Sequence, residues 1–472
     1  MQHPPGNPLP VRALGTLGVA KLLGYASRRL GRGGGTAAPG LLVERLEPGL
    51  VRRAARQLGY GTILVTGTNG KTTTAQMLGA IAAAAGWRVL ANRSGSNLMR
   101  GVAAAIVGAS DLGGRLPQAN RSLGVFEVDE ATLFEAAPRL APRAILFTNL
   151  FRDQLDRYGE VDAILSGWRR TVERLHPSTT LVLNADDPSV ACVGARHTGP
   201  VVYYGVEDDG LAAAAEHAAD ARWCAACGFA YRYAALYYGH IGVWTCPGCG
   251  ARRPVPQIRA TSVRTGHSGT LLRVQATENN APFDLEVPLS GLYNAYNALA
   301  ATAGALAIGL PLGAVESGIR GFTAAFGRQE RVEIGGREVR ILLCKNPAGV
   351  NQVLRTLLAE PGQLTLLLLL NDKIADGRDV SWIWDVDYEL LAGRVHAAVV
   401  SGRRRLDLAL RLKYAGLGGE LVLEHGIRHG LERALAATPR GGRLSVLPTY
   451  TAMVEVREQL AGMAGRAHYW ET

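Results

Sequence analysis

The sequence predicts an α/β protein built on parallel sheets. From residue 61 onward, short apolar strands alternate with Ala-rich helical stretches, and a Gly-rich segment with a lysine lies between the first strand and the first helix of this pattern. Such alternation is typical of a parallel sheet covered on both faces by helices. The chain has 472 residues, 47% of them hydrophobic, which excludes a mainly disordered protein and allows roughly two to four domains.

The first 50 residues are predicted to form a helical leader. Apolar residues recur there at near-helical spacing, among them Val11, Leu14 and Leu22, and arginines follow. Two interpretations fit: a helix that packs on the first domain, or a basic amphipathic helix that lies on an anionic membrane. No stretch reaches the ~20 apolar residues that cross a bilayer. We therefore expect a cytoplasmic protein, with a peripheral position at the inner face of the membrane as the alternative.

The pattern predicts two α/β domains and a small module inserted in the first. Residues 51–330 would form the first domain, residues 222–253 the module, and residues 331–472 the second domain. The expected strands are 62–66, 88–91, 123–128, 144–148 and 180–183 in the first domain and 339–343, 365–370, 397–401 and 444–447 in the second.

A phosphate-binding loop is predicted directly after strand 62–66. Glycines in such a loop let backbone N–H groups converge on phosphate oxygens, and the N-terminus of the following helix adds partial positive charge. Lys71 would reach the β- and γ-phosphates, and Thr72 would offer its hydroxyl to Mg²⁺. The broad G-x4-G-K-[ST] pattern is not met, because Val65 stands where its first glycine would be. The shorter loop consists of Gly67, Thr68, Asn69, Gly70, Lys71, Thr72 and Thr73.

This loop resembles that of the Mur ligase superfamily, whose members activate a carboxylate with ATP as an acyl phosphate that an amine then attacks. The resemblance implies further roles for residues at matching positions. Glu127 would bind Mg²⁺, Asn294 would face the nucleotide, and Arg328 would contact phosphate between the domains. The sequence departs from the superfamily where a histidine is usual, because Gln154, Tyr293 and Lys345 stand at those positions.

Four of the six cysteines predict a zinc site in the inserted module. Two Cys-x-x-Cys pairs are separated by eighteen residues, and nearby glycines permit the tight turns that direct thiolates inward. Four thiolates close the coordination shell of zinc, so the site would be structural. The aromatic residues of the module are interpreted as its small core rather than as a base-stacking surface. The predicted ligands are Cys224, Cys227, Cys246 and Cys249.

An acidic loop follows the predicted strand 365–370. Loops at the carboxyl ends of parallel strands are where ligands bind. We therefore take Asp376 and Asp379 as candidate catalytic residues that position or deprotonate an incoming amine, with Glu127 as the third candidate. A cluster of turn-capping and surface carboxylates is the alternative interpretation of the loop.

This loop, the segment 345–351 and the segment 448–453 together resemble the MurT branch of the superfamily, the synthetase subunits of lipid II isoglutaminyl synthases. The resemblance covers roughly residues 11–470. It implies a carbon–nitrogen ligase of peptidoglycan synthesis that uses ATP, Mg²⁺ and structural Zn²⁺. The reaction implied is amidation of the D-glutamate α-carboxylate of lipid II to D-isoglutamine through an acyl phosphate. The implied partner is a GatD-like glutaminase in a heterodimer, which supplies the ammonia.

Two alternatives stay open. A stand-alone ligase of the Mur or folylpolyglutamate type would add an amino acid instead of ammonia, and it normally carries a carbamylated lysine that we cannot place here. An ATPase that binds nucleic acid would use the cysteine module and the net charge of +11. We expect no nucleic-acid partner.

Overall fold

Two large sheets and one small hairpin organise the protein in the computed structural model. The first sheet has nine strands, the second has six, and the hairpin has two. We call the two main parts the nine-strand domain and the six-strand domain. The structure describes residues 10–29, 37–92, 96–153, 161–211, 220–266, 268–276, 281–323, 328–417 and 421–463. The predicted α/β class with parallel sheets is confirmed.

The nine-strand sheet is mostly parallel. Its order is β11-β10-β9-β6-β5-β4-β1-β3-β2, and strands β1 to β6 are parallel to one another, with β9 parallel to β6. Strands β10 and β11 extend it in the antiparallel sense. The strands are β1 (Thr62–Thr66), β2 (Arg88–Ala91), β3 (Ser122–Glu127), β4 (Ala144–Phe147), β5 (Thr180–Asn184), β6 (Val201–Val206), β9 (Ile258–Thr265), β10 (Thr270–Ala276) and β11 (Phe283–Val287).

The edge strands β9 to β11 were not among the expected strands. Buried and exposed residues alternate along β10 and β11, because one face of this edge meets the core and the other meets solvent. The expected strands rest on continuous apolar runs, which are typical only of strands buried on both faces. The five expected strands of this sheet, β1 to β5, lie within one residue of their predicted limits, whereas the inner strand β6 was also not expected.

Helices cover both faces of the nine-strand sheet. On one face α4 (Lys71–Ala84), α9 (Leu292–Ala307) and α10 (Leu312–Arg320) share a core with β1. The opposite face is covered by α5 (Met99–Ala109), α6 (Leu133–Leu140) and α7 (Val161–Val172), and the short helix α8 (Pro188–Ala191) follows β5.

Three helices precede this sheet, namely α1 (Val11–Arg29), α2 (Ala37–Leu46) and α3 (Gly49–Ala55). One face of α1 is buried with Leu17 and Ala20 in the same core as α5. The Nζ of Lys21 donates to the carbonyl of Val107 at 2.8 Å, near the C-terminus of α5, where a cation is favoured by the helix dipole. The leader therefore packs on the nine-strand domain, as the first of the two interpretations requires.

The six-strand sheet has the order β12-β13-β17-β14-β15-β16, with only β12 antiparallel. Helices α11 and α12 cover one face, and α13 and α14 cover the other. The elements are β12 (Arg328–Ile334), β13 (Arg337–Leu342), α11 (Pro347–Leu358), β14 (Leu364–Leu369), β15 (Val395–Ser401), α12 (Arg405–Tyr414), β16 (Leu421–Leu423), α13 (Ile427–Ala437), β17 (Arg443–Pro448) and α14 (Tyr450–Met463). The backbone enters this sheet at Arg328, while the exact domain limits stay a prediction.

The hairpin of β7 (Arg232–Tyr238) and β8 (Ile241–Thr245) belongs to the cysteine-containing module between β6 and β9. No helix among the described residues is long and apolar enough to cross a membrane.

Candidate active site

The predicted phosphate loop joins β1 to α4, and two of its glycines are required by geometry. Gly67 has φ +126° and Gly70 has φ +85°, in the region that favours glycine. A Cβ at Gly67 would lie 2.1 Å from Oγ1 of Thr148. A Cβ at Gly70 would lie 2.0 Å from Oδ1 of Asn297. Only glycine therefore fits at either end of this turn.

The loop is braced by the segment that follows β4. The amide of Thr68 donates to the carbonyl of Asn149 at 2.9 Å, and its hydroxyl exchanges hydrogen bonds of 3.0 Å with the backbone of Phe151. The amide of Asn69 donates to Oδ1 of Asn149 at 2.9 Å. The segment Asn149–Asp153 thus fixes the conformation of the loop.

Lys71 is buried at the start of α4 beside two acids. Its Nζ lies 3.0 Å from Oε2 of Glu130 and 3.8 Å from Oδ1 of Asp129, and it also donates to the carbonyl of Thr68 at 3.2 Å. Burial alone lowers the pKa of Lys71, but the neighbouring carboxylates outweigh it, so that this pKa lies above its ordinary value. Lys71 is therefore a charged cation in a site without bulk water.

Glu130 has the opposite balance. Burial raises the pKa of its carboxyl to about 7, although Lys71 lowers it in part. This value of about 7 also includes the effect of the neighbouring Asp129, which raises the pKa both as a hydrogen-bond partner and as a like charge. Asp129 and Glu130 together give the site excess negative charge, which a bound cation or a proton can compensate.

Thr72 and Glu127, the two expected magnesium ligands, contact each other. The hydroxyl of Thr72 donates to Oε2 of Glu127 at 2.7 Å, and both side chains are buried. Asn92 holds the backbone of Glu127 from both sides, with bonds of 2.9 Å and 2.8 Å. A hydroxyl and a carboxylate oxygen are the hard donors that Mg²⁺ prefers. The residues present therefore fit a magnesium ion.

Asn294 and Asn297 lie at the start of α9, against the phosphate loop. The side-chain amide of Asn297 donates to Oδ1 of Asn294 at 3.1 Å, and Asn294 donates to the carbonyl of Ser290 at 2.9 Å. The hydroxyl of Thr74 reaches Oδ1 of Asn297 at 3.4 Å. Asn294 is thus placed one side chain away from the loop, as a residue that faces a nucleotide requires.

The six-strand domain contacts the loop directly. The Nδ2 of Asn346 donates to Oδ1 of Asn69 at 3.0 Å, and the Nζ of Lys345 donates to the carbonyl of Thr68 at 3.2 Å. Lys345 also forms an ion pair with Asp153. Asn346 in addition caps α11 through the amide of Gly349. The two domains therefore share one cleft at this loop.

The acidic loop after β14 has its carboxylates engaged in local structure. Both oxygens of Asp376 accept from Thr451, through the backbone amide at 2.7 Å and the hydroxyl at 2.5 Å. Asp379 is exposed, and the amide of Ser381 donates to its Oδ1 at 2.8 Å, which lowers the pKa of Asp379. Asp376 thus holds the loop to the start of α14, whereas Asp379 keeps an accessible oxygen.

A third acid of this loop, Asp385, reaches the nine-strand domain. Its Oδ2 lies 3.2 Å from Nη2 of Arg152, and Arg152 also pairs with Asp220 beside the cysteine module. One arginine therefore links both domains and the module.

The four predicted zinc ligands meet in space. Their Sγ atoms all lie within 4.8 Å of one another, with 3.7 Å between Cys224 and Cys249 and 3.3 Å between Cys227 and Cys246. Tetrahedral zinc with its usual bonds places sulfur atoms about 3.8 Å apart. Burial raises the pKa of Cys224, but backbone amides of Ala226 and Cys227 outweigh it and lower this pKa to about 6. The residues present fit a zinc ion held by thiolates.

The module is anchored on the strand that ends beside the phosphate site. Trp244 is buried, and its Nε1 donates to the carbonyl of Ala185 at 2.9 Å. The imidazole of His240 lies 3.5 Å from Asp187, which also accepts a hydrogen bond from the amide of Leu150 at 2.8 Å. The interpretation of the aromatic residues as a core holds for Trp244, whereas Trp223 is exposed.

Several site residues escaped the sequence analysis. Asp129, Glu130 and Asp153 contact the lysines of the site, and the position of the first two directly after Glu127 was the available signal. Gln154 lies outside the described residues, and so does the side chain of Arg328.

Comparison with solved structures identifies the fold as that of Mur ligases. MurF from Acinetobacter baumannii superposes with a TM-score of 0.65 at 18% identity, over 91% of this chain and 81% of that one. A pseudomurein peptide ligase type C from Methanothermus fervidus gives a TM-score of 0.62 at 21% identity, over 85% of this chain and 78% of that one.

Sequence comparison identifies the family within the Mur ligases to which the chain belongs. The family model of the Mur ligase middle domain matches residues 65–225, and that of the MurT ligase C-terminal domain matches residues 343–453. The subunit MurT of lipid II isoglutaminyl synthase (glutamine-hydrolyzing) from Streptococcus pneumoniae is 33% identical over 93% of this chain and 94% of its own. Its counterpart from Staphylococcus aureus is 30% identical over 94% and 96%. The chain belongs to the MurT family of Mur ligases and is a ligase.

Proposed function

We propose that this chain is the synthetase subunit of a lipid II isoglutaminyl synthase of peptidoglycan synthesis. In this function it amidates the α-carboxylate of D-glutamate in lipid II to D-isoglutamine, with ATP as the activating substrate. The names of its relatives support the proposal. The observation that carries it is the contact of Lys345 and Asn346, at the start of the MurT-type domain, with Thr68 and Asn69 of the phosphate loop.

The phosphate loop binds the nucleotide in this proposal. Backbone amides between Gly67 and Thr73 surround the phosphates, and Asn294 and Arg328 contact the nucleotide from the two flanking elements. Lys71 exchanges its present acceptors, the loop carbonyls and Glu130, for phosphate oxygens. Thr72 and Glu127 hold Mg²⁺, which when bound neutralises phosphate charge. The cofactors are thus ATP with Mg²⁺, and structural Zn²⁺ in the module.

The reaction proceeds by two substitutions. A carboxylate oxygen of D-glutamate attacks the γ-phosphorus of ATP, the bond from this phosphorus to the bridging oxygen breaks, and ADP leaves. Ammonia then attacks the carbonyl carbon of the acyl phosphate, and phosphate leaves with the former carboxylate oxygen. One proton is lost from the nitrogen. Lys71 and Lys345 supply fixed positive charge around the loop, where phosphoryl charge develops.

The ammonia enters from a partner subunit. Asp379 has an exposed carboxylate that can bind ammonium or accept its proton, and Asp376 positions the same loop against Thr451. The word subunit in the relatives' names supports a complex of two chains. We propose a GatD-like glutaminase as the partner and lipid II as the substrate at the membrane surface.

The test is amidation of lipid II by the purified chain with ATP and an ammonium salt, read by mass spectrometry. The expected product has the small mass decrease of an acid converted to its amide. Lys71→Ala should abolish it, whereas the exposed Lys413→Ala should amidate normally. Glutamine should replace ammonium only when the glutaminase subunit is added.

A stand-alone amino-acid-adding ligase is the remaining candidate. It predicts that the mass of a peptide or folate substrate increases by an amino-acid residue, with no amidation of lipid II under ammonium. That outcome would overturn the amidation proposal.

A further inference from the structure

The outward face of α1 is apolar. Val11, Leu14, Val19, Leu22 and Tyr25 are exposed there, and the exposed fraction of the residue surface is 86% for Val11 and 69% for Leu22. At 100° per residue these positions lie opposite the buried face formed by Ala13, Leu17 and Ala20. A surface helix normally presents polar residues to water. This helix therefore has apolar residues on the side that faces the core and on the side that faces away from it.

Small residues complete this outward face. Gly15, Gly18 and Ala26 fall between the large apolar side chains at helical spacing. A Cβ added at Gly15 or at Gly18 would have no atom within 4 Å. From Val11 to Ala26 the face is thus a smooth apolar surface of about four helical turns, and Arg12 lies at its flank.

The charged residues in this part of the sequence have one sign. The first 43 residues contain five basic residues and no acid, because the first acid of the chain is Glu44. Lys21 uses its Nζ to hold the carbonyls of Val107 and Ser110, so its charge stays at the surface of the protein beside α1. A helix that combines an exposed apolar face with exclusively basic charge fits an anionic lipid surface.

We propose that the outward face of α1 lies on the surface of an anionic phospholipid bilayer. This inference rests on the proposed function in one respect, since a lipid-linked substrate has its reactive peptide next to that surface. The helix lies in the interface and does not span the bilayer, in keeping with the absence of a membrane-crossing helix among the described residues. The core-facing side of α1 stays packed on α5.

Apolar burial and charge contribute separately. Transfer of a leucine side chain such as Leu22 from water to the lipid boundary increases the affinity for the membrane about tenfold or more. Each basic side chain near an anionic surface adds about fivefold, and this part is screened by salt. Full binding therefore needs both the apolar face and the anionic headgroups.

The experiment is flotation of the full-length chain with vesicles of phosphatidylglycerol and phosphatidylcholine, without nucleotide or substrate. We expect the wild type to float with anionic vesicles and to be released by salt, and to float poorly with phosphatidylcholine alone. Leu22→Glu should weaken binding about tenfold or more, and Arg12→Glu about fivefold or more. The matched control is Val255→Glu, just after the module, at a position 71% exposed, which should bind like the wild type.

Three outcomes would overturn the proposal. The wild type does not float with anionic vesicles, or Leu22→Glu floats as well as the wild type does. Alternatively, Leu22→Glu leaves flotation intact but converts a dimer of this chain to a monomer, or releases the glutaminase subunit. The face would then be an interface between proteins.

The assay separates this proposal from the proposed function. Leu22→Glu should amidate a water-soluble, short-chain analogue of lipid II at the wild-type rate and should be slower only on lipid II embedded in vesicles. A wild type that floats but amidates neither substrate would sink the proposed function and leave the membrane inference standing.

Discussion

Lys345 in the six-strand domain donates a hydrogen bond of 3.2 Å to the carbonyl of Thr68 in the phosphate loop of the nine-strand domain. The superfamily usually has a histidine at this position. Asp153 pairs with the same ammonium group, so the charge is held at the loop and not extended into solvent. A fixed cation from the second domain therefore lies at the loop where, in the proposed function, phosphate charge develops.

Lys345→Met should lower the rate of amidation about 10- to 1000-fold, because it removes positive charge that acts on the transition state. Thermal stability should change little, since the lysine is partly exposed. The measurement is kcat and KM for ATP, with Lys345→Arg expected to retain part of the activity. An unchanged kcat in the methionine variant would show that the contact only closes the cleft.

Gly70→Ala should abolish nucleotide binding and destabilise the fold. The φ of +85° costs about 1 kcal/mol for alanine, and the added Cβ collides with Asn297. Gly86→Ala is the matched control, because its φ is +79° and its Cβ position is open. Thermal unfolding and nucleotide titration of both variants check this, and equal effects at the two glycines would contradict it.

The nucleotide-free protein should lose stability as the pH rises. The pKa of Glu130 is raised to about 7 by burial, whereas the unfolded chain releases this proton near its ordinary value of 4.5. Between these values the folded state binds more protons, so the free energy of unfolding falls as pH increases. Urea unfolding at about pH 5 and about pH 8 should show a decrease on the order of 1–3 kcal/mol that is absent in Glu130→Gln. A decrease of the same size in the variant would assign it to another group.

Removal of zinc should weaken nucleotide binding as well as unfold the module. The module holds Ala185 and Asp187 through Trp244 and His240, and Asp187 in turn holds Leu150 beside the phosphate loop. Cys246→Ser should lose zinc by elemental analysis and bind ADP more weakly, while Cys192→Ser should retain both properties. Undiminished ADP affinity in a zinc-free protein would show that the module is energetically separate from the loop.

Substitutions of Asp376 and Asp379 should cause different defects, one in stability and the other in activity. Asp376→Asn loses an acceptor for Thr451 and should destabilise the six-strand domain by about 1–3 kcal/mol. Asp379→Asn keeps an oxygen for the amide of Ser381 and should leave thermal stability nearly unchanged while lowering ammonium-dependent amidation. Melting temperature and rate against ammonium concentration distinguish the two, and a fully active, stable Asp379→Asn would remove it from the mechanism.

Local patterns explain what could be predicted from the sequence. The strand, the glycines and Lys71 are neighbours along the chain, so the loop and the fully buried strands are visible without a structure. The zinc site of the four cysteines could be predicted in the same way, because metal-binding spacing is short and regular. Glu127 needed the resemblance to a family, since it is 55 positions away from Thr72, its contact in the loop.

Contacts between distant segments could not be predicted in the same way. The pair of Lys345 and Asp153 joins residues 192 positions apart, and neither residue has a local pattern that indicates its partner. The roles of Asp376 and Thr451 were hidden for the same reason. The edge strands β10 and β11 were missed because a half-exposed strand has no apolar run.

Arg152 connects the short segment after β4 to the acidic loop and to the edge of the cysteine module. Two residues before it in this segment, Asn149 and Leu150, and its immediate neighbour Phe151 touch the phosphate loop or its support. Arg152 itself forms ion pairs with Asp385 of the acidic loop and with Asp220 at the edge of the cysteine module. In the proposed function, the segment Asn149–Arg152 therefore joins the nucleotide site directly to the acidic loop at which ammonia would be bound.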